Sequence, residues 1–308
     1  MEQRKGNPGV NVVVSIVLSV LLARLAGGNM FFTVPLLLVA QHITDRKKAV
    51  LPFFASALAV SLLFILRVMQ QDEAKFTGMF FLGLLFPVSA ALGCALWTFL
   101  RDFSDSVLRK LVICSLVPAV FCGTFALWLT TSGGAQVLEE IREAYMALLP
   151  AELLGINTEG FAKMIATVLL MMIFPMGILF QAVPILVTET VLHRFDEKWQ
   201  YGFANMKMPG FFVWILMGSW IVTMLGNIAF TYPEVVSVFC WNISIGLSMH
   251  YFLNGISIMI ARIRRSAAVT AGKVLVWIAL ALIVPGVNAV VISVLTVMGV
   301  LETWIKLR

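Results

Sequence analysis

The stretch Phe161–Leu192, with the sequence FAKMIATVLLMMIFPMGILFQAVPILVTETVL, is an apolar run longer than one membrane crossing. Its charged residues are Lys163 near the start and Glu189 near the end. An α-helix needs about 20 mainly apolar residues to cross the hydrocarbon core of a bilayer. Outer-membrane barrels are excluded, because their strands alternate apolar and polar residues. The stretch therefore predicts a membrane-spanning α-helix.

The rest of the chain has the same character. Hydrophobic residues make up 60% of the 308 residues and charged residues only 12%, whereas about a quarter of a soluble domain is charged. We therefore predict an all-α, polytopic transmembrane bundle that forms one domain over residues 1–308, with the lipid bilayer as a partner. Its apolar runs are Val10–Gly27, Met30–Ile43, Ala49–Met69, Phe76–Leu100, Leu111–Thr131, Phe161–Leu192, Phe211–Phe230, Val235–Ala261 and Val274–Leu301.

The last of these runs is divided by Pro285-Gly286, a pair that interrupts helices. It predicts two short helices, Lys273–Val284 and Val287–Ile305, that form a hairpin. The second run, Met30–Ile43, is short but is counted as a crossing. The sequence therefore predicts ten membrane helices, which comprise eight full crossings and the C-terminal hairpin.

The basic residues predict the orientation of the bundle. Of the 22 Lys and Arg residues, 17 lie in loops on one side, four lie on the other side, and Arg24 lies within the first run. Cytoplasmic loops carry the excess of Lys and Arg. Both termini are therefore expected in the cytoplasm, with the bundle in a bacterial inner membrane. This signal accounts for the net charge of +6, so no nucleic-acid partner is expected.

One loop on the outer side is long, Ser132–Gly160. Within it, Gln136–Leu149 has apolar residues at spacings of three and four, which places them on one face of a helix. We predict an amphipathic helix near 136–149 on the outer surface of the membrane. This helix either caps the bundle or forms a lid over an outward-facing pocket.

The sequence has no motif typical of a metal, nucleotide or catalytic-serine site. HExxH, GxSxG and P-loop patterns are absent, and the four cysteines lie inside apolar runs without a CxxC pair. We therefore predict no metal, no cofactor and no enzymatic activity. Glu189 and His193 stand four residues apart and share a helix face. This pair either serves a metal or a proton relay, or reaches toward water at the membrane interface.

Polar residues inside the apolar runs are the ligand-binding candidates, because a polar group in lipid is costly. Gln181 lies between Pro175 and Pro184, which are expected to kink their helix and free backbone carbonyls. A kinked helix that carries a glutamine is suited to the wall of a cavity.

Asn242, His250 and Asn254 form a polar stripe on one predicted helix, and Asn227 lies on the run before it. Steps of eight and four residues place the three stripe residues within roughly 80° of one another around the helix. The stripe either lines a solute pocket or hydrogen-bonds to neighbouring helices.

The first helix carries a ladder of small residues, Ser15, Ser19, Ala23 and Gly27, each four positions apart. Such a ladder lets another helix approach closely. The partner is either a helix of this chain or a separate membrane subunit.

Three segments carry a family resemblance. Met298–Arg308, with the sequence MGVLETWIKLR, looks like the closing signature of the YybS-like family of uncharacterised membrane proteins. Tyr251–Ile256 and Met208–Trp214 resemble two further motifs of that family. The resemblance covers residues 195–308 by motif and the first half by hydropathy, with Glu302 where the family usually has Asp. It implies an organisation similar to the substrate-binding components of energy-coupling-factor vitamin transporters, which dock a coupling subunit through such a ladder.

Three functions follow as expectations. The first is solute binding or transport, with a possible membrane coupling subunit and an unidentified small molecule. The alternative is a non-transporting scaffold of a cell-envelope complex. An intramembrane enzyme acting on lipid is the third, and it would need Glu189, His193 and Arg24 to share one cavity.

Overall fold

The computed structural model describes residues 8–25, 31–43, 45–69, 77–100, 107–148, 158–193, 196–228, 233–266 and 271–308. All regular structure in these ranges is helical, which confirms the all-α prediction. The helices are α1 (Pro8–Arg24), α2 (Val34–Ala40), α3 (Arg46–Met69), α4 (Thr77–Leu100), α5 (Val107–Leu129), α6 (Ala135–Leu148), α7 (Thr158–Leu192), α8 (Glu197–Ala204), α9 (Phe211–Ile228), α10 (Glu234–Ser266), α11 (Ala271–Ile283) and α12 (Val287–Leu301).

Several of these helices are suited to cross a membrane. Within the described ranges, five are long and apolar enough, and they lie in α3, α4, α5, α7 and α10. Helices α1, α9, α11 and α12 are apolar but shorter. The described part of the chain therefore holds fewer full-length spans than the eight predicted from the sequence. The five spans are Lys47–Leu66, Gly83–Leu100, Lys110–Leu129, Met164–Leu192 and Glu234–Arg265.

The clearest difference concerns α2, because the second apolar run was counted as a full crossing. α2 contains only seven residues and therefore rises about 10 Å, a third of the hydrocarbon core. It begins after Thr33, has Pro35 in its first turn, and gives way to a turn at Gln41. α2 is too short to cross the membrane by itself.

The centre of the bundle is α7, which contacts α2, α4, α5, α6 and α10. Its approach to α5 depends on Gly177, where a Cβ atom would lie 3.0 Å from the carbonyl oxygen of Pro118. The ring of Phe174 fills the space left by Gly123 of α5 and Gly246 of α10. Small residues at these crossings let the helix backbones pack closely, as is usual for helices in membranes.

The division of the last run into a helical hairpin is confirmed. α11 and α12 are joined by a turn in which Gly286 has a φ of 82°, a left-handed conformation that glycine adopts readily. α12 then packs against α10, where Gly255 faces the backbone of Leu295 and Gly299 faces the backbone of Tyr251. A Cβ atom at either glycine would overlap the opposing backbone, so this crossing requires both glycines.

Two helices lie beside the spans. α6 matches the predicted amphipathic helix, and its apolar face buries Val137 and Ile141 against Cys122 of α5 and Leu170 of α7. These contacts support the interpretation of α6 as a cap on the bundle. α8, of eight residues between α7 and α9, was not predicted.

Candidate functional site

Asn242 hydrogen-bonds to the backbone of α7 as well as to its own helix. Its Oδ1 accepts from the N–H of Phe174 at 3.1 Å, and its Nδ2 donates to the carbonyl oxygens of Leu170 at 2.8 Å and Val238 at 2.7 Å. Leu170 and Phe174 are four residues apart, so an uninterrupted α-helix would pair these two groups with each other. The carboxamide therefore bonds to a donor and an acceptor of α7 that lie one turn apart, just before Pro175.

Gln181 hydrogen-bonds to the backbone of α4 in the same way as Asn242 does to that of α7. With its carboxamide oriented by the groups around it, the nitrogen donates to the carbonyl oxygen of Ala90 at 3.0 Å and the oxygen accepts from the N–H of Cys94 at 3.2 Å. These groups are again four residues apart. Gly93 makes room for the side chain, because a Cβ atom there would lie 2.5 Å from the Gln181 Cδ atom.

The other two residues of the polar stripe also reach neighbouring elements. The His250 ring lies 3.0 Å from the Ser115 hydroxyl of α5 through Nε2, and 2.9 Å from the Gly246 carbonyl through Nδ1. Asn254 donates through Nδ2 to the carbonyl oxygen of Gly299 in α12 at 2.9 Å.

The three residues of the predicted polar stripe therefore bond to three different helices: Asn242 to α7, His250 to α5 and Asn254 to α12. Asn242 also lines a cavity of about 150 Å³ beside Phe174. The side chain of Asn227 lies outside the described residues. The hydrogen bonds agree with the interhelical alternative, and a ligand-binding role for these residues stays a prediction.

Part of the small-residue ladder on α1 packs against other helices of this chain. Ser15 and Ser19 are buried, and α1 packs against α2 and α3. Ala23 is half-buried, and Gly27 lies outside the described residues. Burial of both serines supports the internal alternative, in which the ladder packs within this chain.

The motif segments Tyr251–Ile256 and Met298–Arg308 meet at Arg308. Its guanidinium donates to Glu302 Oε1 at 2.8 Å, to the Ala204 carbonyl at 3.0 Å, to the Ser257 hydroxyl at 3.2 Å and to Asn254 Oδ1 at 3.0 Å. We call these five residues, Ala204, Asn254, Ser257, Glu302 and Arg308, the C-terminal clasp. The clasp joins α8, α10 and the end of α12.

A buried carboxylate lies at the end of α7. Glu189 is 2% exposed, and each of its oxygens accepts one hydrogen bond from an indole. The Nε1–H of Trp97 in α4 donates to Oε1 at 3.0 Å, and the Nε1–H of Trp199 in α8 donates to Oε2 at 3.1 Å. Indoles are neutral, so they satisfy the oxygens without balancing their charge.

His193 connects this carboxylate to the surface. Its Nε2 lies 3.5 Å from Glu189 Oε2, and its Nδ1 lies 3.4 Å from Asp196 Oδ2. Side-chain exposure rises from 2% at Glu189 to 35% at His193 and 47% at Asp196. The imidazole ring stacks on Trp199, with centroids 5.9 Å apart and planes 13° apart. We call these five residues, Trp97, Glu189, His193, Asp196 and Trp199, the carboxylate site.

The sequence reveals only part of the carboxylate site. The spacing of Glu189 and His193 predicts their shared face, but Trp97 is 92 positions before Glu189 and no local pattern joins them. Trp199 is ten positions after Glu189, beyond the end of α7, so helix spacing does not relate the two. Arg24, suggested for a shared lipid-modifying cavity, is exposed at the end of α1. Within the described ranges, no three His, Cys, Asp or Glu residues are placed to hold a metal ion.

An apolar groove of about 600 Å³ lies between α9 and α12, with α10 as its floor. Its polar lining consists of three hydroxyl residues, Ser248, Ser293 and Thr296, and Trp220 forms part of one wall. None of the predicted ligand-binding residues lines it.

Comparison of the chain with protein-family models, with curated proteins and with solved structures finds no match. The resemblance to the YybS-like family therefore stays a prediction.

Proposed function

We propose that this chain is an integral membrane protein that binds and transports a small solute, and that Glu189 is its ion-responsive group. The observation that supports this is the burial of an acidic side chain inside a membrane-spanning helix. Ionisable residues at such positions are costly, and they usually mark solute or ion pathways. A coupling subunit belongs to this proposal, and it would contact the exposed side of α1 because the serine side is buried.

The structure of α7 adds support. This helix contains Pro175 and Pro184, each of which lacks the N–H for one bond of the ladder, and Glu189 lies near its end. Breaks in the hydrogen-bond ladder are points at which a membrane helix bends. A bend in α7 would move Glu189 relative to α4 and α8, as a transport cycle requires.

We further propose a topology with both termini in the cytoplasm of a bacterial inner membrane. α1 has 17 residues and α9 has 18, so they rise about 25 and 27 Å and nearly match the hydrocarbon core. Together with the five long spans they make seven helical crossings. The eighth crossing predicted from the sequence at Met30–Ile43 stays part of this proposal, and α11 and α12 enter from the cytoplasmic side.

A thermal-stability screen tests the solute proposal. The full chain in lipid nanodiscs is heated at a fixed pH with each member of a vitamin and metabolite panel. A solute at 100 times its Kd stabilises the folded state by about 2.7 kcal/mol. We expect at least one member to raise the melting temperature of the wild type and of Glu234→Gln, which changes an exposed acid, but not that of Glu189→Gln. A panel without effect, or an unchanged response in Glu189→Gln, would overturn the proposal.

The second candidate is a membrane scaffold, and a specific observation favours it. Gln181, Asn242, His250 and Asn254 all hydrogen-bond within the chain, so they stabilise the bundle without any ligand. Crosslinking in native membranes tests this role. Stoichiometric recovery of one membrane partner, combined with a negative panel, would support the scaffold over the transporter.

A further inference from the structure

We propose that Glu189 and His193 together bind one exchangeable proton, and that Asp196 and His193 carry it between the aqueous phase and Glu189. This inference rests on the proposed function in one respect, because it names the ion to which the transporter responds. It assigns the proton as the ligand of the carboxylate site.

The charge of the site is the first argument. Both Glu189 oxygens already accept hydrogen bonds from the neutral indoles of Trp97 and Trp199. If Glu189 is ionised and His193 is neutral, the pair carries one uncompensated negative charge at a buried position, which is unfavourable. One added proton on the carboxylate removes that net charge. A proton also needs no ligands beyond these two side chains.

The geometry supplies a route. A proton from water protonates an Asp196 carboxylate oxygen, and that O–H bond breaks as an N–H bond forms at His193 Nδ1, 3.4 Å away. The resulting imidazolium releases the proton on Nε2 to Glu189 Oε2, 3.5 Å away. The ring returns to neutrality as its Nδ1–H tautomer, and one proton has moved from water to Glu189. Release of the proton follows the same atoms in reverse and restores the Nε2–H tautomer.

Other groups near Glu189 bear on its proton equilibrium. On α5, Cys114 lies within electrostatic range of Glu189, and Lys110 lies within range of Cys114. α4 contributes the Trp97 indole, and α8 contributes Trp199. His193 and Asp196 follow on the same chain segment.

The two tryptophans serve as built-in reporters, because their indoles bond directly to the carboxylate. The test measures tryptophan emission of the full chain in nanodiscs from acidic to alkaline pH, without any solute. We expect a sigmoidal change in the wild type and in Glu234→Gln. The change should disappear in Glu189→Gln and move to a different midpoint in His193→Gln. Trp97→Phe and Trp199→Phe should each reduce its amplitude.

Infrared difference spectra of the wild type provide a measurement that does not depend on how the variants fold. Acidification should produce a protonated-carboxyl band over the same pH range as the emission change. A wild type without a transition, or a transition that persists in folded Glu189→Gln, would overturn the proton site. A transition with a negative solute panel keeps this site and rejects the transport function. A solute that raises the melting temperature, without any pH transition, keeps the transport function and rejects the proton site.

Discussion

Arg308→Ala tests the C-terminal clasp, and its effect can be worked out from the contacts. The side chain of Arg308 is 11% exposed and that of Glu302 is 5% exposed, with Nε and Oε1 separated by 2.8 Å. The substitution removes the ion-pair partner of a buried carboxylate. It also removes the donors that reach Ala204, Ser257 and Asn254.

The expected loss of stability follows from the uncompensated charge. Removal of one partner of a buried ion pair costs roughly 3–5 kcal/mol, whereas replacement of both partners by apolar residues is often neutral. We therefore expect Arg308→Ala to lower the free energy of unfolding by about 3 kcal/mol, the low end of that range, because the clasp lies near the end of the bundle. The double variant Arg308→Met with Glu302→Leu should recover at least half of the loss.

The assay is reversible unfolding of the purified protein in mixed micelles, followed by circular dichroism at increasing denaturant. Lys306→Ala is the matched control, since Lys306 is exposed and belongs to the same terminal segment. The reasoning is refuted if Arg308→Ala unfolds within about 0.5 kcal/mol of the control, the range typical of surface substitutions. It is also refuted if the losses in the double variant simply add.

Gly299→Ala should destabilise the protein by more than about 2 kcal/mol in the same assay, because the added methyl group overlaps the backbone of Tyr251. Gly218→Ala on α9 has no atom within 4 Å of the new methyl group and should be neutral or slightly stabilising; equal effects at the two sites would contradict the close α10–α12 crossing. Asn242→Leu leaves two backbone groups of α7 without their side-chain partner and should cost about 1–3 kcal/mol. Gln181→Leu should cost a similar amount through α4, and faster amide hydrogen exchange confined to α4 would locate the effect. Unchanged exchange there would argue against the bonds from Gln181 to the α4 backbone.

The sequence was sufficient for the features that depend on local pattern. Unbroken apolar runs identified the helical class, Pro285-Gly286 located the turn between α11 and α12, and the spacing within 136–149 placed α6 to within one residue at each end. The length of α2 was misjudged, because apolar residues on either side of it continue the run without continuing the helix.

The candidate site was only partly predictable, for a physical reason. Asn242 and Gln181 bond to backbone groups of other helices, and every residue presents the same backbone groups whatever its side chain. The sequence therefore shows that these amides need partners but not where the partners are. Trp97 likewise meets Glu189 only through tertiary packing. His193 was accessible to prediction because it shares a helix face with Glu189.

α8 has a consequence for how the two buried acids behave together. Its first turn carries Trp199, which bonds to Glu189, and its last residue is Ala204, which accepts hydrogen bonds from Arg308 and Ser257. The eight residues of α8 span about 12 Å. The helix is therefore one short rigid rod with one set of hydrogen bonds near each end. Displacement of the rod would weaken both sets together, so we expect the two sites to be thermodynamically linked. If protonation of Glu189 shifts the rod and changes the closing equilibrium of the clasp by some factor, closing of the clasp changes the proton affinity of Glu189 by the same factor, because linkage is reciprocal.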